Sequence, residues 1–277
     1  MHSFVELRVH RGSFLGLLLI SHSLAVLAQR STYLGFDRND YPGDASLPTL
    51  RQSFAYTGYW LNNPPGANSN SWAGKRAVLK QAGFGFLVLF NGRLYKDLKR
   101  SPEAFGQADG RAAVEAAKRE GFPAKAVIFL DIEEGGRMLP EQKAYIYRWI
   151  DEVTDAGFRA GVYCSGIPAK EGKSTIVTAD DIRASAEGRE ISYWVTNDVC
   201  PPSPGCSIAT SLPEPAKSGV GFADIWQYAQ SPRRKDFARM CRNYNPDGNC
   251  YPPGIPPSSH LHVDVNTASS ADPSAGR

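Results

Sequence analysis

The chain has 277 residues, and several things are scarce in it. It holds three methionines and five histidines, and beyond residue 28 only His260 and His262 remain. A zinc site there would have to be completed from carboxylates, an unusual ligand set. No strand-like segment leads into a glycine-rich phosphate loop, the usual mark of a nucleotide-binding doubly wound sheet. No internal repeat recurs. The charge is nearly balanced, 31 Lys and Arg against 28 Asp and Glu, for a net of +3. No basic stripe or polybasic cluster suggests nucleic acid or a membrane surface as partner.

Long apolar runs are also lacking. The longest begins at Phe14-Leu15-Gly16-Leu17-Leu18-Leu19-Ile20, is broken by Ser21, His22 and Ser23, and resumes at Val26-Leu27-Ala28. Behind Arg8 and Arg11 this has the layout of a secretory signal peptide, with Val26 and Ala28 at −3 and −1 of the cut. An uncleaved anchor is the alternative, but the run falls short of the roughly 20 residues a span needs. The expectation is a signal peptide at 1–28 and a secreted or periplasmic protein without stable membrane insertion.

From Tyr33 onward, strand-like and helix-like segments alternate. Strands are predicted at 33–37, 54–61, 84–90, 126–133, 159–164, 191–196, 223–228 and 261–265. Helices are predicted at 72–81, 110–120, 140–156 and 178–187, the last capped by Thr178. Eight strands alternating with helices imply an α/β protein, an irregular (β/α)8 barrel of TIM type over residues 29–266. An open doubly wound sheet is the runner-up. Residues 267–277, rich in Ser, Ala and Pro, are expected to be a disordered tail.

Five cysteines remain, in or near long Pro-rich loops after the sixth and seventh strands, except Cys164. Close spacing predicts disulfides Cys200–Cys206 and Cys241–Cys250, with Cys164 a buried, free thiol.

The strand ends carry the chemistry. The apolar run Ala126-Val127-Ile128-Phe129-Leu130 ends in Asp131-Ile132-Glu133, and alternation puts both acids on one strand face. Reading every strand end gives Asp37, Asp131, Glu133, Tyr163, Trp226, Gln227, Tyr228, Asp264 and Asn266. Carboxylates that can move protons, beside aromatic faces and amides that can hold rings, describe a carbohydrate cleft. His260, His262 and Asp264 alternate along the last strand, which keeps a metal-dependent hydrolase open as a lesser alternative; no cofactor is otherwise called for.

Gly35-Phe36-Asp37, Leu130-Asp131-Ile132-Glu133, Gly161-Val162-Tyr163, Ile225-Trp226-Gln227-Tyr228 and Val263-Asp264-Val265-Asn266 resemble the family 25 glycoside hydrolases. Phe36-Asp37-Arg38 and the Tyr59-Trp60 strand are closer to their relatives, secreted bacterial glycoside-hydrolase-like barrel domains of unknown function. The resemblance implies a muramidase-like site on an irregular β/α barrel. By it Glu133 matches the catalytic acid, Asp131 its acidic neighbour, expected to stay ionised, and Asp37 and Asp264 the flanking acids. Tyr59 joins Tyr163, Trp226, Gln227, Tyr228 and Asn266 as an expected substrate contact. The sixth strand, Tyr193-Trp194-Val195-Thr196-Asn197-Asp198, departs from the muramidase pattern. The function implied is a monomeric glycosidase acting on a cell-wall or related N-acetylated polysaccharide. A non-catalytic carbohydrate-binding protein is the alternative.

Overall fold

In the computed structural model, residues 1–2, 31–208, 211–237 and 240–277 are described. The proposed signal peptide falls outside them. Apolar runs make the barrel wall: β1 (Tyr33–Asp37), β2 (Tyr56–Trp60), β3 (Gly85–Asn91), β4 (Val127–Asp131) and β5 (Arg159–Ser165). Strands β8 (Ile191–Thr196), β9 (Ile225–Ala229) and β10 (Asp264–Ala268) complete it. These eight close in the order β1-β10-β9-β8-β5-β4-β3-β2. A hairpin of β6 (Ala169–Glu171) and β7 (Ser174–Ile176), not foreseen from sequence, sits outside the barrel.

Seven of the barrel strands run parallel, and β10 runs against both neighbours. The reason lies in the connection before it. Residues 230–263 hold no α-helix among the described residues, so nothing carries the chain back along the barrel's outside as a parallel crossover requires. The chain therefore re-enters the sheet at the end where β9 left it. The last strand is Asp264–Ala268 rather than 261–265, and Asp264 stands at its amino end.

Around the wall lie α1 (Leu47–Ser53), α2 (Arg76–Gln81), α3 (Tyr95–Leu98), α4 (Pro102–Arg119), α5 (Pro140–Asp155) and α6 (Thr178–Ala184). Helix α4 starts eight residues before the predicted helix because Gly106 and Gly110, which read as weak helix formers, are contact points. A Cβ at Gly106 would lie 2.5 Å from the Tyr145 carbonyl oxygen, and one at Gly110 2.7 Å from Glu152 Cβ. Thr178 is not the cap of α6. Its hydroxyl accepts from the Gly136 amide at 2.8 Å and donates to the Gly136 carbonyl at 3.0 Å, pinning the loop after β4.

The expected disordered tail is folded. Pairing of β3 with β4 starts only at Val88 and Ile128, leaving backbone groups open beneath it. Ser274 fills the gap: its amide donates to Phe86 O (2.9 Å), its carbonyl accepts from Val127 N (2.8 Å), and its hydroxyl accepts from Val88 N (2.9 Å). Asp272 accepts from the Phe86, Gly276 and Arg277 amides. Composition suggested disorder, but unpaired strand backbone is costly when buried, and this segment supplies the partners.

The disulfides are also reassigned. Cys200 pairs with Cys241 and Cys206 with Cys250, at Cα separations of 5.1 and 5.4 Å. The loops after β8 and β9 lie side by side, with the Cys206 amide donating to Arg242 O at 3.3 Å, so each bridge crosses between loops rather than closing one. Cys164 is free and buried.

Candidate active site at the barrel mouth

The parallel strands end at one mouth, and β10 starts there. Asp37, the last residue of β1, pairs in register with Asp264, the first of β10. Asn91 of β3 pairs with Asp131, and Asp131 with Tyr163. Register thus brings Asp37, Asp131, Tyr163 and Asp264 to one end of the barrel. Glu133 does not share a strand face with Asp131. It stands two residues past the end of β4, exposed on the mouth loop.

Gln227 is the centre of the polar network. Its amide nitrogen donates to Asp37 Oδ1 at 3.0 Å and lies 3.4 Å from Asp264 Oδ2, while its carbonyl accepts from the Tyr163 hydroxyl at 2.8 Å. Asn266 also donates to Asp37 Oδ1, at 2.7 Å, and accepts from Trp194 Nε1 at 2.9 Å. The Ser231 amide donates to Asp264 Oδ1 at 2.6 Å. Gln230 donates to both Tyr163 Oη (3.2 Å) and Gln227 Oε1 (3.0 Å), and accepts from Arg234 Nε at 2.8 Å. Arg234 Nε lies 3.4 Å from Asp198 Oδ1. Sequence reasoning missed Trp194, Asp198, Gln230, Ser231 and Arg234. Trp194 was findable, two positions from Thr196 on one strand face, but the others sit on irregular loops that no periodicity marks.

Burial shapes the charge here. Asp37 is pushed up to about 6, first by burial, against the pull of the Asn266 and Gln227 hydrogen bonds, with Glu133 adding to the rise. Asp131 is 3% exposed, and neither carboxyl oxygen has a hydrogen-bond partner. Burial, then Glu133 and Asp37, hold it well above the ordinary carboxylate range. The expectation that Asp131 stays ionised is therefore corrected: without donors, the charged form has nothing to replace water. Asp264 is likewise raised well above its usual range by burial and then by Asp37. Glu133 is raised by partial burial and pulled back by Arg234.

Two groups of expected substrate contacts point elsewhere. Strand alternation that turns Gln227 inward turns Trp226 and Tyr228 outward. Trp226 Nε1 donates to Asn197 O (2.9 Å) and the Tyr228 hydroxyl to Ser207 O (2.9 Å), and both side chains are fully buried beneath the loop after β8. Tyr59 is on the outer face of β2, packed on Trp72, Phe86 and Phe122, and donates to Glu120 Oε2. These three are core. Tyr163 and Asn266 do face the mouth network, though Asn266 is sealed from solvent. Among the described residues no three His, Cys, Asp or Glu side chains gather as a metal would need. His260 is exposed with left-handed backbone, His262 packs on Tyr251, and Asp264 turns to Ser231 and Gln227.

A family model described as Rv2525c-like, glycoside hydrolase-like domain matches residues 55–199. An uncharacterized protein of B. stearothermophilus shares the fold at 18% identity and TM-score 0.56, over 85% of this chain and 95% of that one. The Tat-secreted protein Rv2525c of Mycobacterium tuberculosis, solved with L-tartrate, matches at 14% identity and TM-score 0.52, over 86% and 94%. The spore cortex lytic enzyme SleM of Clostridium perfringens matches at 14% identity and TM-score 0.50, over 86% and 68%. No curated protein sequence matches the chain.

Proposed function

This chain belongs to the Rv2525c-like, glycoside hydrolase-like domain family, and from that premise we propose that it acts on a cell-wall or related N-acetylated polysaccharide by carboxyl acid/base chemistry. The observation that carries the reading is the gathering of Asp37, Asp131 and Asp264 at one mouth under Glu133, with the two oxygens of Asp131 unpartnered. A buried polar group left bare costs on the order of 1–3 kcal/mol, and a ligand that hydrogen-bonds to it recovers that cost.

Glu133 is the general acid in this scheme. Exposed on the mouth loop and raised by burial, the direction a proton donor needs, it protonates the leaving group. Protonated Asp131 donates to an acceptor on the sugar rather than stabilising positive charge. Asp37 is the group most readily ionised among the deep acids, and Gln227 and Asn266 hold it in place as base or electrostatic partner. The site is proposed to work in a monomer, outside the cytoplasm. The two disulfides support an oxidising compartment, and among the described residues no helix is long and apolar enough to cross a membrane.

Release of reducing ends from purified peptidoglycan tests the reading. Wild type is expected to release them, and Glu133→Gln to be slower by about 10²–10⁴. Equal rates would remove Glu133 from the mechanism. A second reading, a glycan-binding protein without turnover, draws on the Arg234 charge that works against protonation of Glu133. Saturable glycan binding with no products from wild type would favour it.

A further inference from the structure

Arg234 is not arranged as the simple counter-ion of Asp198. An arginine that serves a buried carboxylate normally presents its two-pronged fork, giving two short parallel bonds. Here the nearest nitrogen to Asp198 is Nε, at 3.4 Å, too long for a hydrogen bond of that fork, and that same nitrogen donates at 2.8 Å to Gln230. Asp198 Oδ1 is left without a hydrogen bond although its side chain is 1% exposed. Among the described residues neither Nη group of Arg234 has an acceptor, and the side chain is 41% exposed. Gln230 is fixed in turn by Tyr163 and Gln227, so the guanidinium is held at the mouth through its Nε.

The acids below carry a formal charge that repels an anion. Burial weakens their charge: it raises Asp131 and Asp264 well above the ordinary carboxylate range, Asp37 to about 6, and Asp198 upward against the pull of Arg234. The formal count therefore overstates the negative charge that a ligand meets beside Arg234.

We propose that Arg234 is an anion-binding residue of the mouth and that the glycan taken there carries a free carboxylate, as a uronic acid does. The proposal rests on the mouth being a glycan site. The carboxylate lies across the two Nη groups while the rings extend toward Glu133 and the bare Asp131 oxygens. Gln230 and Asp198 position the guanidinium.

Calorimetric titration of the full chain, disulfides intact, at pH 6 with trigalacturonate, its carboxamide and chitotriose tests this without requiring turnover. Wild type should bind the acid about tenfold or more tighter than the carboxamide, the scale of a charge-assisted pair. Arg234→Gln should erase that ratio, and an unfolding midpoint in urea close to that of wild type shows that the variant is folded. Arg234→Lys should retain part of the preference. An unchanged ratio in Arg234→Gln would overturn the assignment. Chitotriose binding by wild type, with no preference for acid over carboxamide, would overturn the carboxylate while leaving the glycan reading standing. Binding of none of the three would overturn both.

Discussion

Acids taken out of water are treated in opposite ways at the mouth of this molecule and away from it. Beside the helices, Asp181 is almost fully enclosed, yet it lies within 3.0 Å of Lys143 Nζ and 3.3 Å of Arg137 Nη1 and accepts from the Met138 amide at 2.9 Å. At the opposite end of the barrel the half-buried Asp272 takes three backbone amides. At the mouth Asp131, as deeply buried as Asp181, has no partner at all. The chain can satisfy a buried carboxylate where it serves packing. Leaving one bare at the strand ends costs stability, and that cost is characteristic of sites that bind or react.

Removing each kind of acid should separate them. The larger effect is expected at Asp181: Asp181→Ala takes the acceptor from two cations and an amide. With Arg137 and Lys143 partly exposed, the loss should be about 2 kcal/mol in urea unfolding at pH 7. A loss under about 0.5 kcal/mol would mean these contacts are ornamental.

Asp131→Asn should behave the other way. In the unfolded chain this carboxyl ionises near 4, while in the native state burial keeps its proton to much higher pH. As pH rises past 4 the unfolded state sheds the proton first, so the wild-type protein loses stability with rising pH through this group. An amide cannot ionise. The variant should therefore be at least as stable as wild type at pH 7, and any advantage should fade as pH falls below about 4. A variant destabilised equally at every pH would show that Asp131 is an ordinary structural acid.

Much of this contrast was legible in the sequence. Asp37 and Asp131 follow apolar runs, and a barrel sends such ends to one mouth. Asp264 was placed at that mouth on the assumption of a parallel strand; it is there because β10 is reversed, so the residue that starts the strand takes the place of one that ends it. The alternation argument applied to Asp131 also separates Gln227 from Trp226 and Tyr228, and it would have withdrawn the two aromatics. Disulfide partners were not legible from spacing, since 41 and 44 residues of chain lie between cysteines that two adjacent loops bring together. Arg234, Gln230 and Asp198 were invisible for the same reason: loops without periodicity place them.

The most direct measurement is a carboxyl titration by NMR, with 13C-labelled Asp and Glu, from pH 3 to 9. Asp37 is expected to titrate near 6 and Asp131 to give up its proton well above the ordinary carboxylate range, the cluster losing its protons in steps. A native Asp131 that ionises near 4, as in the unfolded chain, would contradict it.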